Sequence, residues 1–166
     1  DIAVRLGCRV VACASDDAKL AVCRERGADA TINYETENLK ERIKQITGGG
    51  ADIVFDPVGG RYSEEALRAT KWGSRFVVVG FAAGDIPRIP LNLVLLKGVH
   101  IMGFEVRTFP QVEPELYKRD MQELMAMLNE GFKPVIGATF PLSQAAAALR
   151  YVADRKATGK IVVVND

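Results

Sequence analysis

A chain of 166 residues is long enough to bury a hydrophobic core, and with 48% apolar and 26% charged residues its composition is that of an ordinary globular protein. Its formal net charge of +1 gives no basic field to attract nucleic acid or an anionic membrane surface. No apolar stretch approaches the roughly 20 residues of a membrane-spanning helix, and we expect no signal peptide at the start of the chain.

The three cysteines, Cys8, Cys13 and Cys23, are too few and too irregularly spaced for a disulfide framework or a zinc knot. Cys8 and Cys13 lie in an apolar run, so we expect them to be buried free thiols. An odd number of reduced cysteines favours a cytoplasmic location.

The first half of the chain alternates short apolar runs with segments of helical period, which is the pattern of βαβ units around a parallel sheet. Residues 1–6 are typical of the last turns of a helix whose start is absent, so we expect the chain to be a fragment. Ser15 is the predicted N-cap of the first complete helix, and Gly27 is its predicted stop. The predicted strands are 8–14, 30–34, 52–56 and 75–80, and the predicted helices are 16–26, 37–47 and 62–71.

The second half begins with a loop over residues 81–98 that contains a helical turn near 93–97. A strand over 99–105 and a long surface helix over 114–130 follow. The tail has strands at 138–141 and 161–164, separated by a helix that Ser143 is predicted to cap. We expect that helix to direct four apolar side chains inward: Ala145, Ala148, Leu149 and Val152.

The order of these elements favours a doubly wound α/β fold, although periodicity alone leaves open a generic α/β domain such as a flavodoxin-like receiver. Ligands of open α/β sheets bind beyond the carboxyl ends of the strands, so the residues that follow each strand are the candidates for a site. The residues at these positions are Ser15 to Lys19, Tyr34, Val58 to Gly60, and Gly80 to Ala82.

The end of the first strand is the most informative of these positions. A domain that prefers NAD usually places an acidic side chain there, whereas this strand ends in Ala14 and Ser15, with Lys19 one helical turn further on. A hydroxyl and a cation suit the 2′-phosphate of NADP. The alternative is that Ser15 only caps a helix and Lys19 is an ordinary surface residue. Asp16 could also reach a ribose, but it is better placed to sit in the first helical turn.

Other side chains give little indication of catalysis or of a metal site. His100, the only histidine, lies in a predicted strand without a cysteine at ligand spacing, so we do not expect it to be a metal ligand. Asp56 ends a strand, but before Pro57 it is better explained as a turn-forming residue than as an acid or base. No Ser/His/Asp or Cys/His set is available for nucleophilic catalysis.

Five stretches, in a fixed order, carry a resemblance to a known family: GCRVVACASDDAKLAVCRERGADATINY (7–34), ADIVFDPVGG (51–60), SRFVVVGFAAG (74–84), PLNLVLLKGVHIMGF (90–104) and DRKATGK (154–160). Together they resemble the coenzyme domain of medium-chain dehydrogenases/reductases of the quinone oxidoreductase type. The resemblance implies a doubly wound Rossmann sheet without its central first strand and glycine-rich loop, which would lie just before Asp1. It further implies an NADP-binding domain over 1–131 and a return segment of the catalytic domain over 132–166.

The same resemblance assigns roles to the strand ends. It implies that Ser15, Lys19 and Tyr34 contact the 2′-phosphate of NADP(H), and that Val58 and Gly59 line the ribose. The remaining implied coenzyme contacts are Gly80, Phe81, Ala82, Arg155 and Lys160.

Gly80, Phe81 and Ala82 would bring backbone close to the nicotinamide, where the missing side chain of Gly80 lets the ring approach. Arg155 and Lys160 would reach back toward the coenzyme, the alternative for both being ordinary surface charge.

The implied activity is hydride transfer from NADPH to a quinone or an α,β-unsaturated carbonyl, without zinc and with no proton donor that the sequence identifies. Without the glycine-rich loop, we expect the chain alone neither to bind the coenzyme tightly nor to turn over. A homodimer through the strand at 99–105 is implied, with Ile101 and Phe104 at its interface. Two alternatives stay open: a catalytically silent nucleotide-binding or structural module, and the enoyl reductase part of a polyketide synthase.

Overall fold

A computed structural model describes residues 1–165 of the chain. The first compact unit runs from Asp1 to Phe109, and a second unit begins at Pro110. The elements of the first unit are α1 (Ile2–Arg5), β1 (Val11–Ala14), α2 (Asp17–Glu25), β2 (Ala30–Asn33), α3 (Leu39–Thr47), β3 (Ala51–Asp56), α4 (Arg61–Arg68), β4 (Thr70–Val78), α5 (Leu91–Lys97) and β5 (His100–Gly103). The alternation of strands and helices that the sequence predicts is confirmed.

The strands of the first unit are all parallel to their neighbours, and they form two sheets. β1 pairs with β2, from Val11 opposite Ala30 to Ala14 opposite Asn33. The second sheet has the order β3-β4-β5. In the described part of the chain no ladder joins β1 to β3.

Side chains on β3 and around β1, the strands on either side of the gap between the two sheets, are more exposed to solvent than the sequence predicts. Ile53 and Phe55 are two residues apart, and therefore on one face of β3, and they are 49% and 68% exposed. Cys8 and Cys13 are exposed as well, so the prediction of buried thiols is wrong. An apolar run predicts a buried strand only when neighbouring elements cover it, and here the cover is incomplete.

A single core nevertheless joins the two sheets. Ile32 of β2 and Phe76 of β4 belong to one buried cluster together with residues of the helices that lie between them in the chain. Leu39 and Ile43 of α3, predicted from their spacing to form an apolar face, are buried in it. The full cluster is Ile32, Leu39, Ile43, Ala66, Leu67, Ala69, Phe76, Leu93 and Val99.

The helix ends follow local hydrogen bonding. Asp16, not Ser15, caps α2, because its Oδ1 accepts from the backbone N–H of Lys19 at 2.9 Å. Asn38 caps α3 in the same way through the N–H of Glu41, and Gly48 ends that helix with a φ of 71°. The prediction of Ser15 as the cap is therefore wrong by one residue.

The second unit contains α7 (Pro114–Asn129), β6 (Ile136–Pro141), a 3-10 turn (Leu142–Gln144), α8 (Ala145–Ala153) and β7 (Lys160–Val164), while the short α6 (Phe109–Val112) lies where the units meet in the sequence. β6 and β7 are parallel. Ser143 lies in the 3-10 turn and caps no helix, contrary to prediction.

The inward face predicted for α8 is correct only in part. Ala148 is buried, whereas Leu149 and Val152 are 72% and 51% exposed. Helical spacing identifies an apolar face, but whether that face is covered depends on a partner element. No helix among residues 1–165 is both long and apolar enough to cross a membrane.

Candidate functional site

The turns that follow β3 and β4 are held together by backbone hydrogen bonds. The N–H of Val79 donates to the carbonyl of Asp56 at 3.0 Å, and the N–H of Ala82 donates to that of Pro57 at 3.0 Å. Ala83 donates to Val58 at 2.8 Å, and Gly60 donates to Asp85 at 3.0 Å. We call this pairing of residues 56–60 with residues 79–85 the turn ladder. It fixes the carboxyl ends of two neighbouring strands as one surface.

Asp56 shapes the first of these turns. Its side chain is buried at 8% exposure. Oδ1 accepts from the N–H groups of Val58 at 2.9 Å and Gly59 at 3.0 Å, and Oδ2 accepts from the hydroxyl of Ser63 at 2.6 Å. Both carboxylate oxygens are thus used within the fold. The interpretation of Asp56 as a turn-forming residue is confirmed.

The glycines of the turn ladder are required by close packing. Gly59 has a φ of +74°, and a Cβ there would lie 2.9 Å from Cδ1 of Phe81 and 3.1 Å from the carbonyl oxygen of Asp85. A Cβ on Gly80 would lie 3.3 Å from the carbonyl oxygen of Pro57. Glycine at position 80 is therefore favoured by the fold itself, because the ends of β3 and β4 approach each other closely there. Phe81 itself is exposed.

At the ends of β1 and β2 a second group of predicted residues meets. The last rung of this pair joins Ala14 to Asn33, and one step further the N–H of Tyr34 donates to the carbonyl of Ala14 at 3.2 Å. This bond places Tyr34 beside the start of the segment that carries Ser15. Asn33 reinforces the corner, because its side-chain amide donates to Oδ1 of Asp17 at 3.1 Å.

Lys19 is the cation of this corner. Its Nζ lies 3.1 Å from Oδ2 of Asp16, and the pair is partly exposed. The hydrogen bond from the backbone N–H of Lys19, followed by that from its side chain, lowers the pKa of Asp16 below the usual range. Because exposed ion pairs contribute little free energy, a phosphate can compete with Asp16 for the ammonium group.

Three residues that the sequence did not single out form a hydrogen-bonded group beside Tyr34. The rings of Tyr34 and Tyr62 are 4.4 Å apart between centroids. The hydroxyl of Tyr62 donates to Oε1 of Glu35 at 2.6 Å and accepts from Arg61 at 2.8 Å. Arg61 also forms an ion pair with Glu35 at 3.4 Å. A signal was present: the dipeptide Arg61-Tyr62 opens a helix directly after the Gly59-Gly60 turn.

The first unit therefore contains eight of the predicted coenzyme contacts, in two groups. One lies at the ends of β1 and β2, and the other lies on the turn ladder. Arg155 and Lys160 belong to the second unit, where Arg155 has a left-handed φ of 58° and Lys160 opens β7. Their contact with the coenzyme stays a prediction. Within residues 1–165 no three or more His, Cys, Asp or Glu side chains are grouped so as to hold a metal ion.

A unit of parallel strands and helices, with polar and glycine-bearing turns at the carboxyl ends of neighbouring strands, defines the class of doubly wound nucleotide-binding folds. The chain belongs to the zinc-binding dehydrogenase family, whose model matches residues 1–130.

Curated relatives support the same assignment. Quinone oxidoreductase-like protein 2 of Bos taurus is 37% identical in an alignment of 160 positions that covers 95% of this chain and 46% of that protein. The 2-haloacrylate reductase of Burkholderia sp is 30% identical in an alignment of 166 positions that covers 96% of this chain and 49% of that protein. The chain thus spans about half the length of the curated relatives it matches. The resemblance to quinone oxidoreductases is confirmed.

Solved structures agree on the fold. A crystal structure of an NAD-dependent alcohol dehydrogenase superposes with a TM-score of 0.82 at 31% identity, over 99% of this chain and 46% of that one. CurK enoyl reductase gives a TM-score of 0.84 at 26% identity, over 99% of this chain and 49% of the CurK chain. A mycobacterial protein solved with NADPH gives 0.84 at 23% identity, over 98% and 50%, a likeness of fold alone. The predicted doubly wound fold is confirmed.

Proposed function

We propose that this chain forms the adenosine-binding part of an NADP(H)-dependent oxidoreductase whose hydride acceptor is a quinone or an α,β-unsaturated carbonyl. The names of two relatives, a quinone oxidoreductase-like protein and a 2-haloacrylate reductase, support this class of acceptor. Because those relatives are about twice as long, we also propose that the chain alone does not turn over.

The observation that carries the coenzyme assignment is the corner formed by the ends of β1 and β2. Ser15, Lys19 and Tyr34 supply a hydroxyl, a cation and a phenol there, which are groups that bind phosphate. Asp16, the carboxylate nearest the end of β1 in the sequence, could hold a ribose instead, but its Oδ1 is engaged as the cap of α2. This engagement favours NADP over NAD.

The chain's residues contribute binding and orientation. A nicotinamide coenzyme supplies the hydride when it is bound. Lys19 offers charge to the 2′-phosphate, Val58 and Gly59 offer a turn without a side chain at its second position, and Phe81 offers an exposed aromatic surface. The zinc-less character that the resemblance implies and the cytoplasmic location that the cysteines favour belong to the same proposal.

The choice between coenzymes is open to direct test, since one related structure is of an NAD-dependent enzyme. The 166-residue chain is titrated with adenosine 2′,5′-bisphosphate and with adenosine 5′-monophosphate, and binding is followed by NMR chemical shifts. We expect the bisphosphate to bind more tightly and to shift the amides of residues 15–19 and 34. Equal affinity for the two ligands would refute the NADP assignment.

Two alternatives make different predictions. The likeness to CurK enoyl reductase favours an enoyl thioester as acceptor, which the longer protein would reduce in preference to a quinone. A catalytically silent nucleotide-binding module would bind adenosine 2′,5′-bisphosphate. The full-length protein that contains it would, however, oxidise NADPH with neither the quinone nor the enoyl thioester. Steady-state assays with one quinone and one enoyl thioester separate these cases.

Dimerisation through β5 belongs to the same proposal. β5 is an edge strand of its sheet in the described structure, and its four residues are exposed. Ile101 and the following Phe104 would lie at the interface between two such strands. Light scattering of the purified protein checks this assignment, and a strict monomer would contradict it.

A further inference from the structure

We propose that Tyr62, together with Glu35 and Arg61, is a positioning residue that holds the ring of Tyr34 in place and so fixes the 2′-phosphate end of the coenzyme site. This inference rests on the proposed function. Tyr62 acts through Tyr34, and its hydroxyl, more than its ring, is the group that makes the arrangement specific.

The contacts form a closed set. The hydroxyl of Tyr62 donates to Oε1 of Glu35 at 2.6 Å while it accepts from Nη2 of Arg61 at 2.8 Å. The guanidinium of Arg61 lies 4.8 Å from the centre of the Tyr62 ring and 3.4 Å from Oε2 of Glu35. The ring of Tyr62 then packs on that of Tyr34 at 4.4 Å with a tilt of 44°. The orientation of Tyr62 is thus fixed by both its hydroxyl and its ring.

The position of the set in the fold explains why it matters for binding. Tyr34 and Glu35 follow β2 of the first sheet, whereas Arg61 and Tyr62 open α4, which follows β3 of the second sheet. No strand ladder in the described structure joins the two sheets. The set therefore links the corner of Lys19 and Tyr34 to the turn of Val58 and Gly59, the two places that one adenosine ribose with its 2′-phosphate would contact.

The hydroxyl of Tyr62 is suited to a permanent link. Burial, followed by the hydrogen bond to Glu35, raises the pKa of Tyr62. The hydroxyl, which is protonated at neutral pH in any tyrosine, therefore remains a donor to a still higher pH. The Arg61–Glu35 pair is exposed and by itself contributes little. Removal of the hydroxyl leaves that pair without its shared partner.

The test compares Tyr62→Phe, which keeps the ring, with Tyr151→Phe as a matched control. Tyr151 packs its ring on Phe140 at 5.8 Å in the second unit. Two quantities are measured on the 166-residue chain: the ratio of dissociation constants for adenosine 5′-monophosphate and adenosine 2′,5′-bisphosphate, and the NMR chemical shifts of the Tyr34 ring protons. We expect Tyr62→Phe to lower the ratio by about fivefold, the size of one hydrogen bond, and to move the Tyr34 signals toward random-coil values. Tyr151→Phe should change neither.

Glu35 provides an independent check that does not touch the aromatic pair. Glu35→Ala should lower the ratio as Tyr62→Phe does, and Glu35→Gln, which keeps an acceptor for the Tyr62 hydroxyl, should restore most of it. Urea unfolding of each variant establishes that it is folded before ligands are compared.

Each outcome is informative. An unchanged ratio with unchanged Tyr34 signals in Tyr62→Phe overturns the proposal, and so does equal weakening of both ligands, since a general structural role would act on both. A wild-type chain without preference for the 2′-phosphate overturns the proposed function instead. In that case the Tyr34 ring signals still decide whether Tyr62 holds the ring.

Discussion

The backbone N–H of Tyr34 donates to the carbonyl oxygen of Ala14 at 3.2 Å, one step beyond the last rung of the β1–β2 pair. This bond continues the hydrogen-bonding pattern one residue past the two strands, so the segments that follow β1 and β2 begin side by side. Because Ser15 follows Ala14, the backbones of Ser15 and Tyr34 are brought close by main-chain geometry. The candidate phosphate site is therefore a property of strand register, and its side chains can be tested singly.

Replacement of Lys19 by alanine should reduce the preference for NADPH over NADH. The expected loss is about 1–3 kcal/mol, typical of a hydrogen bond to a charged group. Lys40→Ala is a matched control, since Lys40 pairs with Glu41 at 3.0 Å on the surface of α3. Calorimetric titration of the full-length enzyme with both coenzymes gives the two affinities. A preference that survives Lys19→Ala would show that the 2′-phosphate is held elsewhere.

Gly59→Ala should destabilise the fold by about 2–4 kcal/mol, because it combines a left-handed backbone with overpacking against Phe81. Gly84 separates the two effects: its φ is +88°, but a Cβ there would meet nothing within 4 Å. We expect Gly84→Ala to cost only about 1–2 kcal/mol. Urea denaturation measures both free energies of unfolding. Equal losses for the two variants would mean that the contact with Phe81 contributes nothing.

Ser63→Ala removes the hydroxyl that donates to buried Asp56. Ser63 is 1% exposed, so the carboxylate oxygen it leaves cannot be reached freely by water, and we expect a loss of about 1–3 kcal/mol. Ser143→Ala is the control, because Ser143 is exposed and caps no helix, and it should stay within about 0.5 kcal/mol of the wild type. Thermal unfolding followed by circular dichroism compares them. The role assigned to Asp56 would be wrong if the two serines behaved alike.

The ionisation of Glu105 should make the free energy of unfolding depend on pH in the acid range. Hydrogen bonds from Arg107 and then from Thr108 lower the pKa of Glu105 from 4.5 to about 2. Since the pKa is lower in the folded chain, the stabilisation is fully present above about pH 4.5 and is lost as the pH falls toward 2. NMR titration of the Glu105 carboxyl measures the midpoint directly. A Glu105→Gln variant should show a flatter dependence of unfolding free energy over this range, and an unchanged slope would contradict the assignment.

Much of the fold could be predicted because its signals are local. The apolar spacing of Leu39 and Ile43 identified α3, and Gly48 marked its end. The predictions that failed concerned a choice between two adjacent capping residues and the burial of apolar side chains. Ser15 and Asp16 are adjacent and both can cap a helix, so only the geometry of the chain decides between them. Leu149 of α8 and Cys13 of β1 lie in apolar patterns, but burial depends on elements that a pattern cannot supply.

The candidate site was predictable to a similar degree. Residues next to strand ends, such as Lys19 and Tyr34, follow from the rule that ligands bind beyond the carboxyl ends of parallel strands. Glu35 and Tyr62 are 27 positions apart, and nothing local relates them. Their contact depends on tertiary packing, in which α3 lies against α4. Gly80 illustrates a different limit, because the sequence identified the residue but not the backbone contact that requires it.

The turn ladder is made of main-chain donors and acceptors alone. Its four bonds place no demand on the side chains of Phe81 and Ala82, both of which are exposed. These two positions can therefore be varied while the frame around them keeps its shape. A library at residues 81 and 82 would alter the surface offered to a ligand without rebuilding the loop, so this short segment is a suitable starting point for directed evolution.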